Sequence, residues 1–310
     1  MIVYTDSIEF ADSLFSNGRA TWGPATFTEA TRLLGHQLFG DQPVSCRELD
    51  PVEPFTILFA TKTASQSQYD ILTGLGGAGT ALPGAVLCLA GSGRGFHGQR
   101  GRPWSASEGN VHLSAHFTLP VSAHTTVPDF TALAAVSVVD TIDGIDDLHG
   151  RAGIKWVNDI LIDGAKVCGI LAGTDTSGAH VSRAVIGIGL NVENVPTIAP
   201  TPFVPKVAAL RTFTSDAACN RAHVLTSLLA ILGRNYLTLI GSNPTSLVDR
   251  YRDRSLIIGS HVTICADSSD DQPVVLASGR AEALGDQLEL YIGGVKQPFA
   301  HGRVILDPRR

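Results

Sequence analysis

The sequence predicts a turn-rich α/β or α+β protein that ends in a small β-barrel-like module. Three observations carry that expectation. With 310 residues the chain can bury a large core, and it fits one large unit beside a small one. Hydrophobic residues at 44% and charged residues at 17% describe a globular protein, and 32 glycines spread along the chain point to many turns. From Ser255 onward the helical periodicity stops and only short strand-like runs remain.

The charge balance narrows the class of partners. A net charge of −6 argues against a general nucleic-acid binder, because such proteins carry a cationic surface that releases counterions from phosphate. Any anionic ligand must therefore be held by a local cluster. Cys46, Cys88, Cys168, Cys219 and Cys265 are odd in number and widely spaced, with no Cys-x-x-Cys pair, so reduced, mostly buried thiols are expected and no metal site. The first ten residues hold acids where a targeting peptide needs Lys or Arg, and no run of about 18 uninterrupted apolar residues occurs. A cytoplasmic protein without a membrane span is the expectation.

Along the chain, residues 1–50 read as a strand at Ile2 to Tyr4, helices around Ser7 to Phe15 and Thr28 to Leu38, and a loop ending at Asp50-Pro51. Phe55 to Ala60 looks like a strand, followed by a polar segment from Thr61 and a Gly-rich turn near Gly74 to Gly79. Ala85 to Ala90 is a second buried strand, and Val111 to Phe117 alternates like a third. Pro128 to Val139 carries apolar residues at helical spacing behind Asp129. Ile154 to Ile162, Lys166 to Ala172 and Val181 to Val192 read as strands, and Asp163-Gly164 is a two-residue hairpin signal. Helices are expected at Ala222 to Leu239 and Ser246 to Asp253. Short strands follow at Leu256 to Ile264, Val274 to Ala283, Gln287 to Ile292 and Gly302 to Leu306. The division is an N-terminal extension over 1–50, a main unit over 51–248 and a module over 249–310.

Gly93-Arg-Gly-Phe-His-Gly98 satisfies the dinucleotide-binding expression GxGxxG, but its context does not. A Rossmann turn opens directly into a helix, whereas the residues after Gln99 have no apolar helical stripe and lead to another strand. No Lys-Ser or Lys-Thr closes the glycine run, which removes the P-loop as well. What remains is a loop with Arg94, His97, Arg100 and Arg102 and no acid between Gly84 and Ser107. Arginine forks bind carboxylate and phosphate oxygens, and glycines let backbone amides reach the same oxygens. A solvated basic loop would look the same. Two roles fit Trp104: stacking on an aromatic base, or anchoring the loop to the core.

Pairing about Asp163-Gly164 sets Ile162 opposite Ala165, Leu161 opposite Lys166 and Asp159 opposite Cys168. Alternation then puts Lys155, Asp159 and Lys166 on one face and Trp156, Ile160, Val167 and Leu171 on the other. Two lysines and a carboxylate on an otherwise apolar sheet are costly unless they meet a ligand or each other. A face open to solvent is the alternative. Asn158 fits either a backbone cap or a ligand contact.

Together, Gly98-Gln-Arg-Gly-Arg-Pro-Trp104 with Gly109-Asn110 and Leu113-Ser114, Lys155-Trp-Val-Asn-Asp159, Lys166-Val-Cys-Gly-Ile-Leu171 and Gly187-Ile-Gly-Leu-Asn-Val192 resemble the catalytic domain of biotin protein ligases. The resemblance runs from about Phe55 to the C-terminus. It implies an α+β fold with a biotin/lipoate ligase-like mixed sheet, flanking helices and an SH3-like C-terminal domain. It implies ATP, Mg²⁺ and biotin as the small molecules, biotinyl-5′-AMP as the intermediate, and transfer to a lysine of the biotin carboxyl carrier domain of a carboxylase. Lys166, Lys155, Arg100 and Arg102 are then the catalytic residues. Ser65, Gln66, Arg94, His97, Gly98, Gln99, Gly101, Trp104, Asn158, Asp159, Gly169, Gly187 and Asn191 are the substrate and nucleotide contacts. A homodimer is the family-level expectation. The loop departs from the family's Gly-Arg-Gly-Arg-x-Gly: aligned on Trp104 it has Gln99 in place of the second arginine, and with Phe96-His97-Gly98 as an insertion Gly93-Arg94-Gly95 keeps the first half; Gln66 replaces an asparagine. Those departures keep two rival readings open: a lipoate or octanoate ligase or transferase, for which Cys168 offers a thiol, and a catalytically weak sensor of biotin or an adenylate.

Overall fold

The computed structural model describes residues 1–15, 21–77, 82–120, 125–177, 180–241, 245–268 and 272–306. At its start, β1 (Ile2–Thr5) leads into α1 (Ile8–Leu14), which Ser7 caps by accepting a hydrogen bond from the Phe10 amide. Phe10 and Leu14, four residues apart, bury the same side of that helix. After β2 (Gly23–Pro24) and α2 (Glu29–Phe39) comes β3 (Ser45–Glu48), a strand within the segment expected to be loop. β1 pairs antiparallel with β3 and parallel with β4 (Phe55–Ala64), so the N-terminal strands extend the main sheet.

β4 also absorbs Thr61 to Ala64 of the expected polar segment. From there α3 (Gln68–Gly77) crosses to β5 (Ala85–Gly93), which lies parallel to β4, and β6 (Val111–Thr118) returns antiparallel. Gly74 to Gly77, expected in a turn, close that helix, while Gly79 lies outside the described residues. The helix α4 (Val127–Asp143) starts with a capping box in which Thr126 and Asp129 satisfy each other's backbone amides, and it is buried from Phe130 to Val139.

Four strands follow: β7 (Ala152–Lys155), β8 (Asp159–Ile162), β9 (Ala165–Ser177) and β10 (His180–Leu190). They complete a ten-stranded mixed sheet in the order β2-β3-β1-β4-β5-β6-β10-β9-β8-β7. α5 (Arg221–Ile240) is long and apolar enough to cross a membrane, but half of that stretch is buried, with Leu225, Leu228, Leu229 and Leu232 in the same core as α4. α6 (Thr245–Asp253) leads to β11 (His261–Cys265), β12 (Val275–Leu284), β13 (Leu290–Ile292) and β14 (Arg303–Leu306), a second antiparallel sheet in the order β13-β12-β11-β14. The expected mixed sheet with flanking helices and the small C-terminal sheet are both present.

Two layers of side chains position the site. Helices α4 and α5 cover one face of the large sheet with an aliphatic core. On the other face, Leu34, Leu38 and Phe39 of α2 and Ile71, Leu72 and Leu75 of α3 bury Tyr4, Phe59 and Val86. The small sheet is fastened to the edge strand β7: Ile154 donates to Arg254 O and accepts from the Leu256 amide, and the Trp156 indole donates to Leu288 O at 2.7 Å. An Arg254–Asp143 pair at 2.6 Å closes the same seam.

Three register expectations are corrected. Ile154 to Ile162 is two strands, not one: the chain turns over Trp156 to Asn158, and Lys155 lies directly across from Asp159. Ile162 does oppose Ala165 and Leu161 does oppose Lys166, but a bulge then shifts the ladder, so Asp159 faces Gly169 and Ile160 faces Cys168. The extra residue sends both Val167 and Cys168 into the core and turns Leu171 to the opposite face from Val167, where it lines a cavity. In the C-terminal module, Leu256 to Ser260 form turn, and the strand begins at His261.

A side chain at Gly233 of α5 would place its Cβ 2.0 Å from Glu53 O. Gly233→Ala is therefore expected to lower stability by roughly 1–3 kcal/mol despite alanine's better helix propensity. A reduced urea midpoint at unchanged slope is the measurement; an unchanged midpoint would mean the helix shifts away without loss.

Candidate functional site

The surface of β6, β9 and β10 away from α4 and α5 carries a cavity of about 420 Å³. Its floor is made by residues without side chains. Gly169 of β9 and Gly189 of β10 are register partners, and Trp104 lies across both: a Cβ would come within 3.0 Å of the indole at Gly169 and 2.4 Å at Gly189. Trp104 thus fixes the base of the loop on the sheet, and its ring also lines the cavity. Its Nε1 donates to His112 Nδ1 at 3.5 Å. His112 in turn donates from Nε2 to Ser107 O at 2.9 Å, and burial pushes its pKa down to about 4, so the imidazole is neutral. Farther along the same two strands Tyr69 rests on Gly173 and Gly187, with its hydroxyl 2.6 Å from where a Cβ at Gly173 would stand. Leu171 and Ser114 line the space with these rings.

The cationic end lies where β7, β8 and β9 meet. Lys166 Nζ contacts Asp159 Oδ1 at 2.7 Å, passing over Gly169, whose missing side chain leaves room for the lysine. Lys155 is 6% exposed, and its Nζ donates to Phe203 O. Phe203 belongs to a strap, from Pro196 to Val207, that lines the cavity and pairs with β9 through Lys166 N to Lys206 O at 2.9 Å. The Arg303 guanidinium from the small sheet lies 3.5 Å from the Phe203 ring centre, and Arg102 enters from the loop. Burial pushes the Lys155 pKa down to about 8; Asp159 opposes the shift, while the charges of Lys166, Arg303 and Arg102 add to it. Four cations share this cavity with one carboxylate, Asp159, among the described residues. Such an arrangement suits an anion bound next to a flat apolar group.

The glycine-arginine loop forms a tight hairpin. Trp104 N donates to Phe96 O at 2.9 Å and Gly98 N to Arg102 O at 2.7 Å, and the tip turns through left-handed backbone at Arg100 (φ 56°) and Gly101 (φ 71°). His97 Nε2 meets Asp70 Oδ1 at 2.8 Å; its bond to Gly98 O, joined by Asp70, raises the imidazole pKa above its ordinary value.

Of the residues singled out in the sequence, Lys166, Lys155, Arg102, His97, Gly98, Gln99, Trp104, Asn158, Asp159, Gly169, Gly187 and Asn191 line one cavity. Five do not. Ser65 and Gln66 are exposed beyond β4, and the neighbouring Ser67 lines the wall instead. Arg94 is exposed, Gly101 forms the hairpin tip, and Arg100 points away from the cavity to Asp267 at 2.8 Å. Asn158 donates to Ile170 O at 2.6 Å, so it ties the hairpin together as well as lining the site. Asn191 is wholly buried and donates to Ala208 O at 3.1 Å, which leaves its Oδ1 without a partner. Sequence reasoning missed Tyr69, His112, Phe203 and Arg303. Glycines at 187 and 189, alternate positions of one strand, are the signal that large groups approach that face. Nothing local marks Arg303, which reaches the site from the other sheet.

The biotin/lipoate A/B protein ligase family matches residues 81–191. The bifunctional ligase/repressor BirA of Bacillus subtilis (strain 168) is 30% identical over 184 residues, which is 58% of this chain and 54% of that protein. The chain spans about half the length of the first curated relatives it matches. A biotin--[acetyl-CoA-carboxylase] ligase of Mycobacterium tuberculosis is 32% identical over 235 residues, 73% of this chain and 80% of the relative. The solved biotin protein ligase from Aquifex aeolicus in complex with biotin and ATP shares the fold, with a TM-score of 0.62 at 18% identity over 81% of this chain and 99% of that one.

Protonated Lys155 favours bound anions, and its pKa lies low. Affinity for pyrophosphate is therefore expected to fall as pH rises through about 8, the value below which the lysine is charged. Calorimetric titration from pH 7 to 9 tests this against Lys155→Met. A wild-type affinity as flat across that range as the mutant's would remove Lys155 from anion binding.

Proposed function

The chain belongs to the biotin protein ligase family, and from that premise we propose that it uses MgATP to activate biotin and then joins it to a lysine of a biotin carboxyl carrier domain. The observation that carries this reading is the junction of an aromatic, glycine-floored slot with the cluster of Lys155, Lys166, Arg102 and Arg303 in one cavity. A fused-ring carboxylic acid has that shape: a flat polar ring system, an aliphatic tail and an anionic end.

In the first step a carboxylate oxygen of biotin forms a bond to the α-phosphorus of ATP as the bond to the β-phosphate oxygen breaks, giving biotinyl-5′-AMP and pyrophosphate. Two anions must be brought together, so the main barrier is electrostatic. Lys166 and Lys155 hold the carboxylate and the phosphoryl oxygens close, and Arg102 offers a planar fork to the phosphates. Asp159 orients Lys166 through the 2.7 Å pair. In the second step the neutral ε-amine of the carrier lysine attacks the acyl carbonyl, and AMP leaves as the amide forms. The protein contributes positioning and charge rather than a covalent intermediate.

Mg²⁺ enters as part of the nucleotide substrate. No group of three or more His, Cys, Asp or Glu able to hold an ion occurs among the described residues, and the cavity's one carboxylate is engaged by Lys166. The triphosphate's own oxygens are then the principal ligands. A thioester route through Cys168 has no support: the thiol is fully buried in the core, and burial pushes its pKa far up. The curated Bacillus relatives are named as repressors as well, but β1, β2 and β3 of the N-terminal segment here belong to the main sheet, so no repressor role is proposed. We place the catalytic unit at 51–248, with 249–310 as a module that lends Arg303.

Biotin-dependent exchange of pyrophosphate into ATP tests the proposal. Exchange is expected with biotin, not with lipoate or octanoate, and Lys166→Ala should slow it on the order of 10²-fold. Exchange driven by one of the other acids would move the chain to the lipoate side. Biotin binding without any exchange would make it a sensor.

A further inference from the structure

The hairpin that carries Arg102 and Trp104 is held from outside the cavity at its tip. Arg100 takes left-handed backbone, a conformation disfavoured for a residue with a Cβ, and thereby aims its side chain away from Arg102 and toward the C-terminal module. There its Nε donates to Asp267 Oδ2 at 2.8 Å. Asp267 follows β11 and is well covered, with a side chain 16% exposed. Its Oδ1 is buried and has no hydrogen-bond partner, so the carboxylate has room for a second donor from the guanidinium fork. The flank of the same hairpin is tied to α3 through His97 and Asp70. The hairpin therefore spans the cavity between two elements far apart in sequence.

We infer that Asp267 is a positioning residue of the C-terminal module: by holding Arg100 outward it keeps the hairpin over the cavity, with Arg102 turned in. Only Gly101 separates the two arginines, and the consecutive left-handed turns at 100 and 101 make their directions interdependent. Release of Arg100 lets the tip relax to ordinary backbone, and Arg102 then loses its fixed approach to an anionic ligand. The consequence falls on ligand capture and retention rather than on the chemical step, because bound nucleotide itself holds the loop once the site is saturated. The kinetic part of this inference rests on the ligase reading; the structural part does not.

The test compares the full chain with Asp267→Asn and Asp267→Glu in two measurements. Without ligand, trypsin cleavage after exposed Arg94 on the same loop is expected to speed up roughly twofold to fivefold in Asp267→Asn, the range an exposed charge pair commands, at unchanged melting midpoint. In the exchange reaction the KM for MgATP should rise by a similar factor with kcat retained. Asp267→Glu, which keeps the charge, should recover much of both. Unchanged cleavage and unchanged KM in Asp267→Asn would overturn the inference. So would cleavage that rises along the whole chain with a lower melting midpoint, since Asp267 would then only stabilise the module. A wild type that shows no biotin-dependent exchange defeats the ligase reading, and the Arg94 cleavage still decides the role of Asp267.

Discussion

Backbone laid bare on two neighbouring strands is the constraint on which the site depends. Gly169, Gly173, Gly187 and Gly189 let Trp104 and Tyr69 rest directly on β9 and β10, and the same gap at Gly169 lets Lys166 fold across to Asp159. Each glycine inside a strand weakens it by roughly 0.5–1 kcal/mol relative to alanine. Partial burial of the two aromatic rings offsets part of that loss. The floor is flat because nothing projects from it, and a flat floor between rings admits a flat ligand. Sequence, packing and recognition meet in the omission of four methyl groups.

A single inserted residue explains most of what the sequence shows and conceals about the site. Alternation placed Lys155, Asp159 and Lys166 on one face, and they do share it, but by another route. Lys155 and Asp159 meet across a hairpin and not along one strand, and Lys166 arrives just before the bulge. Beyond the bulge, parity counted from the turn fails, which is why Asp159 opposes Gly169 and Leu171 looks into the cavity. Val167 and Cys168 are both apolar, so composition gives no sign that two successive residues enter the core.

Long, strongly periodic elements such as α4 and α5 were legible because a buried stripe needs little besides spacing. The N-terminal strands were less so. β3 is Ser-Cys-Arg-Glu, a short polar run whose strand character comes from pairing with β1, a contact more than forty residues distant. Arg303 and Asp267 have the same cause. Their roles derive from the docking of the small sheet on β7, and no local pattern encodes which side chains that docking brings to the cavity.

The electrostatics make the cavity incomplete without its ligand. In a chain of net charge −6, four cations line one partly buried cavity that holds a single carboxylate among the described residues. Burial is the main reason the Lys155 pKa falls to about 8, and the charges of Lys166, Arg303 and Arg102 add to it, so the protein lightens the repulsion by weakening the proton affinity of its most buried cation. That relief is partial. An arriving carboxylate and polyphosphate remove the repulsion, restore the full charge on Lys155 and so draw part of their binding energy from tension already present in the folded protein. A neutral analogue of the acid, such as its amide, gains the aromatic slot but leaves the cations facing one another. Discrimination for the ionised acid is therefore built into the unfilled site, before any contact with the ring system is made.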